Sequence, residues 1–188
     1  SIFRVQPRFG TFFYSHAGYW YPSPGEGDYF LARLTLAIPP GYECVANGEM
    51  VSRTRREDIS DDATTGKVGG SVFTFVCRKP LKYLSFIVGK FAPPRDRPGP
   101  VPLTAHISSE VMDSRPGLLD QAADILDFYG RAFGPFPYEK LGIVLRPWPF
   151  MGGHSPASFI LINEVPGFVG EGFRTPVDTP VNLSNWDE

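Results

Sequence analysis

The sequence of 188 residues predicts a β-rich mixed α+β fold: an antiparallel β-sandwich unit, then a shorter segment of one long helix and two strands. Three observations predict it. Apolar and polar residues alternate in several short runs before residue 109, which is the period of half-buried strands. Twenty Gly and twenty Pro punctuate the chain without forming a repeat, so they divide it into many short segments. Beyond residue 113 the apolar period switches, once, to that of a helix.

The opening, 1–13, mixes basic and apolar residues in a short extended pattern. It leads into an aromatic cluster, Tyr19, Trp20 and Tyr21, followed by Pro22 and Pro24. The cluster reads as a loop whose rings cover one end of a β core; a stacking surface for a protein or glycan ligand is the alternative. Over 28–38, Phe30, Ala32, Leu34, Leu36 and Ile38 alternate with a mixed face carrying Arg33 and Thr35, which predicts a strand. Pro39, Pro40 and Gly41 turn the chain, and 42–46 forms a second strand. Asn47-Gly48 is a strong hairpin signal, so 49–53 is its expected partner. The polar, breaker-rich stretch 54–70 reads as an exposed loop.

A further strand is predicted over 72–77. The run 83–91 is nearly all apolar, as suits a strand covered on both faces. After the proline-rich 92–102, alternation resumes over 103–109 with Leu103, Ala105 and Ile107 inward. His106 then falls on the opposite, more polar face. Asp113 or Ser114 can cap a helix on which Leu119, Ala122, Leu126, Tyr129 and Phe133 recur at helical spacing. Asp120, Asp124 and Asp127 occupy another face, read as solvated. Gly134 and Pro135 end the helix. A strand over 141–145, a Pro/Gly-rich crossing over 146–156 and a strand over 158–163 complete the pattern. The shift of composition within 92–114 divides the chain into units 1–109 and 110–188. The second holds too few elements to close a core alone.

Several function classes are excluded by what is missing. The net charge of -2 and the acidic residues directly after Arg53, Arg55 and Arg56 argue against nucleic acid. No apolar run reaches the roughly 20 residues that span a bilayer, and 1–8 shows no signal-peptide pattern. Cys44 and Cys77 read as reduced core thiols, with a bridge as the alternative. His16, His106 and His154 lack the spacing of a zinc-binding helix pair, and no phosphate-binding glycine fingerprint is present. Ser155 adjoins His154, but neighbours on extended backbone point apart, and the segment is not a G-x-S-x-G elbow. No catalytic residue, no metal ligand and no cofactor is assigned within this chain.

The crossing is the candidate site. Pro147, Pro149, Gly152, Gly153 and Pro156 permit unusual backbone geometry and close approach to a ligand. Tyr19, Trp20 and Tyr21 are the candidates for a binding surface.

Ordered motifs carry a resemblance. Trp20-Tyr21-Pro22, then FLARLTLAIPPGYECVANGE, FTFVCRKPLKYLSFIVGKF and a helix ending in FYGRAFGPFPYEKLGIVLRP together resemble the aminopeptidase N-type family of zinc metallopeptidases. The resemblance spans about 140 residues, from late in the family's saddle-like N-terminal β domain into the start of its thermolysin-like catalytic domain. It implies that the chain is a non-catalytic portion of a longer peptidase-like protein whose zinc site, H-E-x-x-H with a distant glutamate, lies downstream. Zinc is expected in that parent, with a peptide substrate and the remainder of the catalytic domain as partners. The family's G-A-M-E-N motif, which binds substrate and its free α-amine, falls at Gly152-Gly153-His154-Ser155-Pro156, so the resemblance implies Gly152, Gly153, His154, Ser155 and Pro156 as the substrate-cleft candidates; only the first glycine matches. Ser155 stands in the glutamate's place. A neutral hydroxyl cannot give an ammonium group the charge-assisted pairing of a carboxylate, so exopeptidase specificity is not implied.

Overall fold

The computed structural model describes residues 10–22, 28–56, 70–111, 115–148, 150 and 152–164. Eleven strands and one α-helix follow in the order β1 (Thr11–Tyr14), β2 (Phe30–Ile38), β3 (Glu43–Ala46), β4 (Glu49–Arg56), β5 (Gly70–Leu81), β6 (Phe86–Gly89), β7 (Arg95–Arg97), β8 (Leu103–Ile107), α1 (Leu118–Phe133), β9 (Leu141–Pro147), β10 (Gly153–His154) and β11 (Phe159–Glu164). The β-rich α+β expectation agrees with this architecture. The predicted cap at Asp113 or Ser114, and the loop residues 57–69, lie outside the described residues.

The strands form three sheets. An outer sheet has the order β2-β5-β4, a central sheet β1-β6-β3, and a mixed sheet β10-β11-β9-β8-β7. Side-chain alternation dictates how they stack. Leu34, Ile38, Phe73 and Phe75 of the outer sheet meet Cys44, Ala46, Phe86 and Val88 of the central sheet in one core. The opposite face of the central sheet, Val45 and Ile87, meets Val144, Phe159 and Leu161 of the mixed sheet in a second. On the far side of the mixed sheet, Ala105, Ile107, Ile143 and Leu145 receive Leu118 of α1. The layers therefore run outer sheet, central sheet, mixed sheet, helix. β6 is buried at all four positions, as its unbroken apolar run requires when both faces are covered.

One expectation is corrected. Asn47-Gly48 does not close a hairpin: β3 pairs with β6, while β4 pairs with β5. Gly48 takes φ 80, so the sharp reversal exists, but it carries the chain from one sheet to another. His106 does not face solvent, because the second face of β8 lies toward the central layer; its ring meets Phe91 at 6.0 Å. The apolar stripe of α1 is seated only near its start, leaving Tyr129 at 53% and Phe133 at 83% exposure. Asp120 and Asp127 are solvated as expected and pair with Arg97 and Arg131. The mixed sheet draws strands from both sides of residue 109, with β8 parallel to β9 from Leu103↔Leu141 to Ile107↔Leu145.

Cys44 and Cys77 are free and buried. They belong to different sheets, and burial raises both thiol pKa values, that of Cys77 to about 11. Lys140 approaches the same region, its ammonium 5.5 Å from the centre of the Phe75 ring. Burial lowers its pKa, opposed by Cys77, Cys44 and the carboxylate of Glu49. A buried ammonium without a carboxylate at ion-pair distance among the described residues costs more than an apolar side chain of similar length. Lys140→Met is thus expected to stabilise the fold by on the order of 1 kcal/mol. The unfolded state binds the proton more tightly, so wild-type stability rises with pH and the gain shrinks as Lys140 deprotonates. Urea midpoints at pH 7 and pH 10 check this; an equal or larger gain at the higher pH would count against it.

Candidate functional site

The site is assembled where the mixed sheet meets the crossing between β9 and β11. Helix α1 stops at Gly134, whose φ of 95 breaks the helical path while its N–H still donates to Gly130 O at 3.0 Å. Phe136 and Tyr138 follow, and their rings meet at 5.6 Å. β9 is buried along its whole length, including Arg146. Its guanidinium lies 4.3 Å over the Trp148 ring and 5.8 Å from that of Phe13, and its Nε donates to Asn163 Oδ1 at 2.9 Å. Burial lowers its pKa to about 10, so it stays a cation at neutral pH. Stacking on two rings and a bond to Asn163 anchor the start of the crossing to β11 and to β1.

Within the crossing, β10 is the outermost strand of the mixed sheet. It pairs antiparallel with β11, Gly153 opposite Ile162 and His154 opposite Leu161. Asn163 N–H donates to Gly152 O at 2.9 Å. Alternation along an antiparallel ladder then directs the N–H and C=O of Gly153 away from β11, onto an edge that no strand among the described residues pairs. Both glycines are required by geometry. Gly152 has φ 121, and a Cβ on Gly153 would stand 2.2 Å from Leu161 O. The edge is therefore presented without a side chain at its centre.

The far end of the crossing is clamped to the other sheets. Asn47 is fully buried; its Nδ2 donates to Ala157 O at 2.6 Å and its Oδ1 accepts from Ser85 N–H at 2.5 Å. Gly48 N–H donates to Ser158 Oγ at 2.8 Å. Ser158 sits at φ 66, a strained value for a residue with a Cβ. The Asn47-Gly48 turn thus holds the residues that return the chain from β10 into β11.

Of the cleft candidates, Gly152, Gly153, His154 and Ser155 line one depression of about 270 Å³ together with Ile160, Leu161 and Ile162. Pro156 is buried and, with Ser155, forms a wall of an adjoining cleft of about 400 Å³. The His154 ring turns to Phe13, at 4.7 Å between ring centres. Of the three aromatic candidates, two turn inward together and one stands apart. Trp20 packs edge-on against Phe86 and Tyr21, and the Tyr21 hydroxyl accepts from Leu84 N–H at 3.0 Å. Tyr19 points outward at 90% exposure.

Sequence reasoning missed Asn47 and Ser158, and also Tyr29, Lys82, Tyr83, Phe136 and Tyr138 around the cleft. The local signal at Asn47 was read as a turn and nothing more. Among the described residues no group of three or more His, Cys, Asp or Glu could hold a metal ion. No described helix is long and apolar enough to cross a membrane.

No protein-family model and no curated protein matches the chain. Solved structures do. An M1 zinc metallopeptidase from Deinococcus radiodurans is similar with a TM-score of 0.58 and 21% identity, covering 73% of this chain and 31% of its own. A mutant of the Deinococcus radiodurans enzyme bound to a Tyr-Ser-Ala substrate gives 0.58, with 20% identity, 73% of this chain and 31% of its own. A two-domain M1 zinc metallopeptidase mutant bound to L-arginine gives 0.57 and 21% identity over the same shares, 73% and 31%. The chain thus spans about a third of the length of these structures, and over that span its fold is similar to that of M1 zinc metallopeptidases.

Proposed function

We propose that this chain is a portion of a zinc-dependent, aminopeptidase-like peptidase, supplying its β domain and one edge of the substrate cleft. The observation that carries this reading is the open edge of β10. Its outward N–H and C=O at Gly153 can add an extended peptide to the mixed sheet, the mode in which main-chain bonds give affinity and adjacent pockets give selectivity. The zinc of such a protein would supply a Lewis acid and an activated water when bound. The described residues do not fit it, so it belongs to the remainder of the catalytic domain. Tyr129 and Phe133, left bare at the end of α1, support a further layer of protein over that helix. Within this chain the work is positional: Arg146 and Asn47 hold the two ends of the crossing, and Gly153 offers the edge. Ser155, a neutral hydroxyl, favours peptides whose recognition does not depend on a charged α-amine.

The test is expression with the natural downstream sequence. The longer protein is expected to bind zinc in near-stoichiometric amount and to cleave peptides. If it holds no zinc, or holds zinc and cleaves no peptide in a mixed library, the reading fails.

A further inference from the structure

We propose that the cleft beside Ser155 is a subsite for an aromatic side chain of the peptide carried on β10; the inference rests on the reading above and names the class of residue its site selects. Three separate parts of the chain build the cleft: Tyr29 just before β2, Lys82 and Tyr83 after β5, and Phe136 and Tyr138 after α1. Its fourth wall is the crossing itself. Ser155 and Ile160 line both this cleft and the shallower depression along Gly152 to His154, so the two adjoin at these residues. A strand advances about 3.3 Å per residue. A peptide paired with Gly153 therefore brings a neighbouring side chain to the mouth of the cleft within one or two residues.

The lining decides which side chain fits. The volume of about 400 Å³ lies in the range of ligand-binding clefts, and most of its boundary is ring or aliphatic carbon. Phe136 and Tyr138 already meet edge to face, and an inserted ring can extend that arrangement. Tyr29 and Tyr83 lie near the Tyr138 phenol, whose pKa is raised first by burial and then by these two neighbours. Among the described residues the polar groups of the lining are thus phenol hydroxyls, the Ser155 and Ser158 hydroxyls and the Lys82 ammonium, with no carboxylate. A lysine or arginine side chain would meet a cation and no counter-charge. An aromatic ring meets ring faces, polar rims and a cation able to lie over its face.

The experiment uses the isotopically labelled chain and capped heptapeptides of alanine, each carrying one tryptophan at a successive position, followed by amide shifts and titration. The all-alanine peptide is expected to shift Gly153. One tryptophan position is expected to bind about tenfold more tightly than alanine. Tyr29→Ala, at a residue 67% exposed and so dispensable to the core, should remove that gain, so that the tryptophan peptide binds no more tightly than all-alanine. Tyr19→Ala should leave both unchanged. Equal affinity at every tryptophan position, or a gain that survives Tyr29→Ala, overturns the subsite. Its failure is separable from failure of the peptidase reading. If no heptapeptide shifts Gly153 but N-acetyltryptophanamide shifts the cleft residues and loses this with Tyr29→Ala, the aromatic site stands and the peptide edge falls. If that small probe shifts none of them, the subsite falls.

Discussion

Asn47→Ala is expected to destabilise the protein by about 3 kcal/mol, which is large for the loss of one small polar side chain. The residue is fully buried, and its amide serves Ser85 N–H on one side and Ala157 O on the other. Truncation leaves Ser85 N–H unpaired in the interior and Ala157 O unpaired at a half-buried position, at about 1–3 kcal/mol each. Asn47→Asp should be no gentler, because it retains the acceptor for Ser85 but sets a carboxylate oxygen against the Ala157 carbonyl. Urea unfolding gives the stability change. The more telling readout is local: amide shifts at Gly153 and His154 should move in Asn47→Ala, because the residues that return β10 to β11 have lost their anchor. A double variant with Ser158→Ala should cost less than the sum of the single changes, since both act on the same short segment. Additive costs with unmoved edge amides would mean that the turn only stabilises and does not position.

The second large effect concerns acid. His106 projects from β8 toward the central layer, and its pKa is lowered to about 4, first by burial and then by Lys140, with Asp96 opposing. The unfolded chain holds the proton near the ordinary value of about 6.5. Stability supplied by the neutral ring is therefore complete above that pH and is lost as pH falls from about 6.5 to about 4, a total of on the order of 3 kcal/mol. His106→Asn should flatten this limb, leaving the carboxylate contribution at lower pH in both proteins. Urea midpoints at pH 7 and pH 4.5 measure the difference. A variant that loses as much stability as wild type over that interval would remove His106 from the account.

Individual elements were legible in the sequence wherever one periodic pattern determines one local conformation. The alternation from Phe30 to Ile38 and from Leu103 to Ile107, the unbroken apolar run around Ile87 and the helical spacing from Leu119 onward all correspond to elements of the fold. Partnership was less legible. Asn47-Gly48 specifies a reversal of direction, but the choice between β4 and β6 as the neighbour of β3 is made by side chains far away in the chain. The parity of His106 was read correctly, yet parity names a face and not what covers it. At the candidate site, the glycines and prolines of the crossing pointed to the right stretch. β10 is two residues long and carries no period to read. The Ser158 conformation and the tyrosine walls of the cleft depend on residues brought together from 29 to 158, which no local window contains.

The central sheet has a bearing on how the chain is made. Ile87 and Val45 are closed off by Val144, Phe159 and Leu161, residues that leave the ribosome after every strand from β1 to β8. A nascent chain that has emerged through β6 can pair its outer and central sheets and bury the Phe73 and Phe75 core. It must then hold an apolar face open until β9 and β11 arrive. β9 and β11, which frame the candidate cleft, are thus also the strands that close the second face of the central sheet.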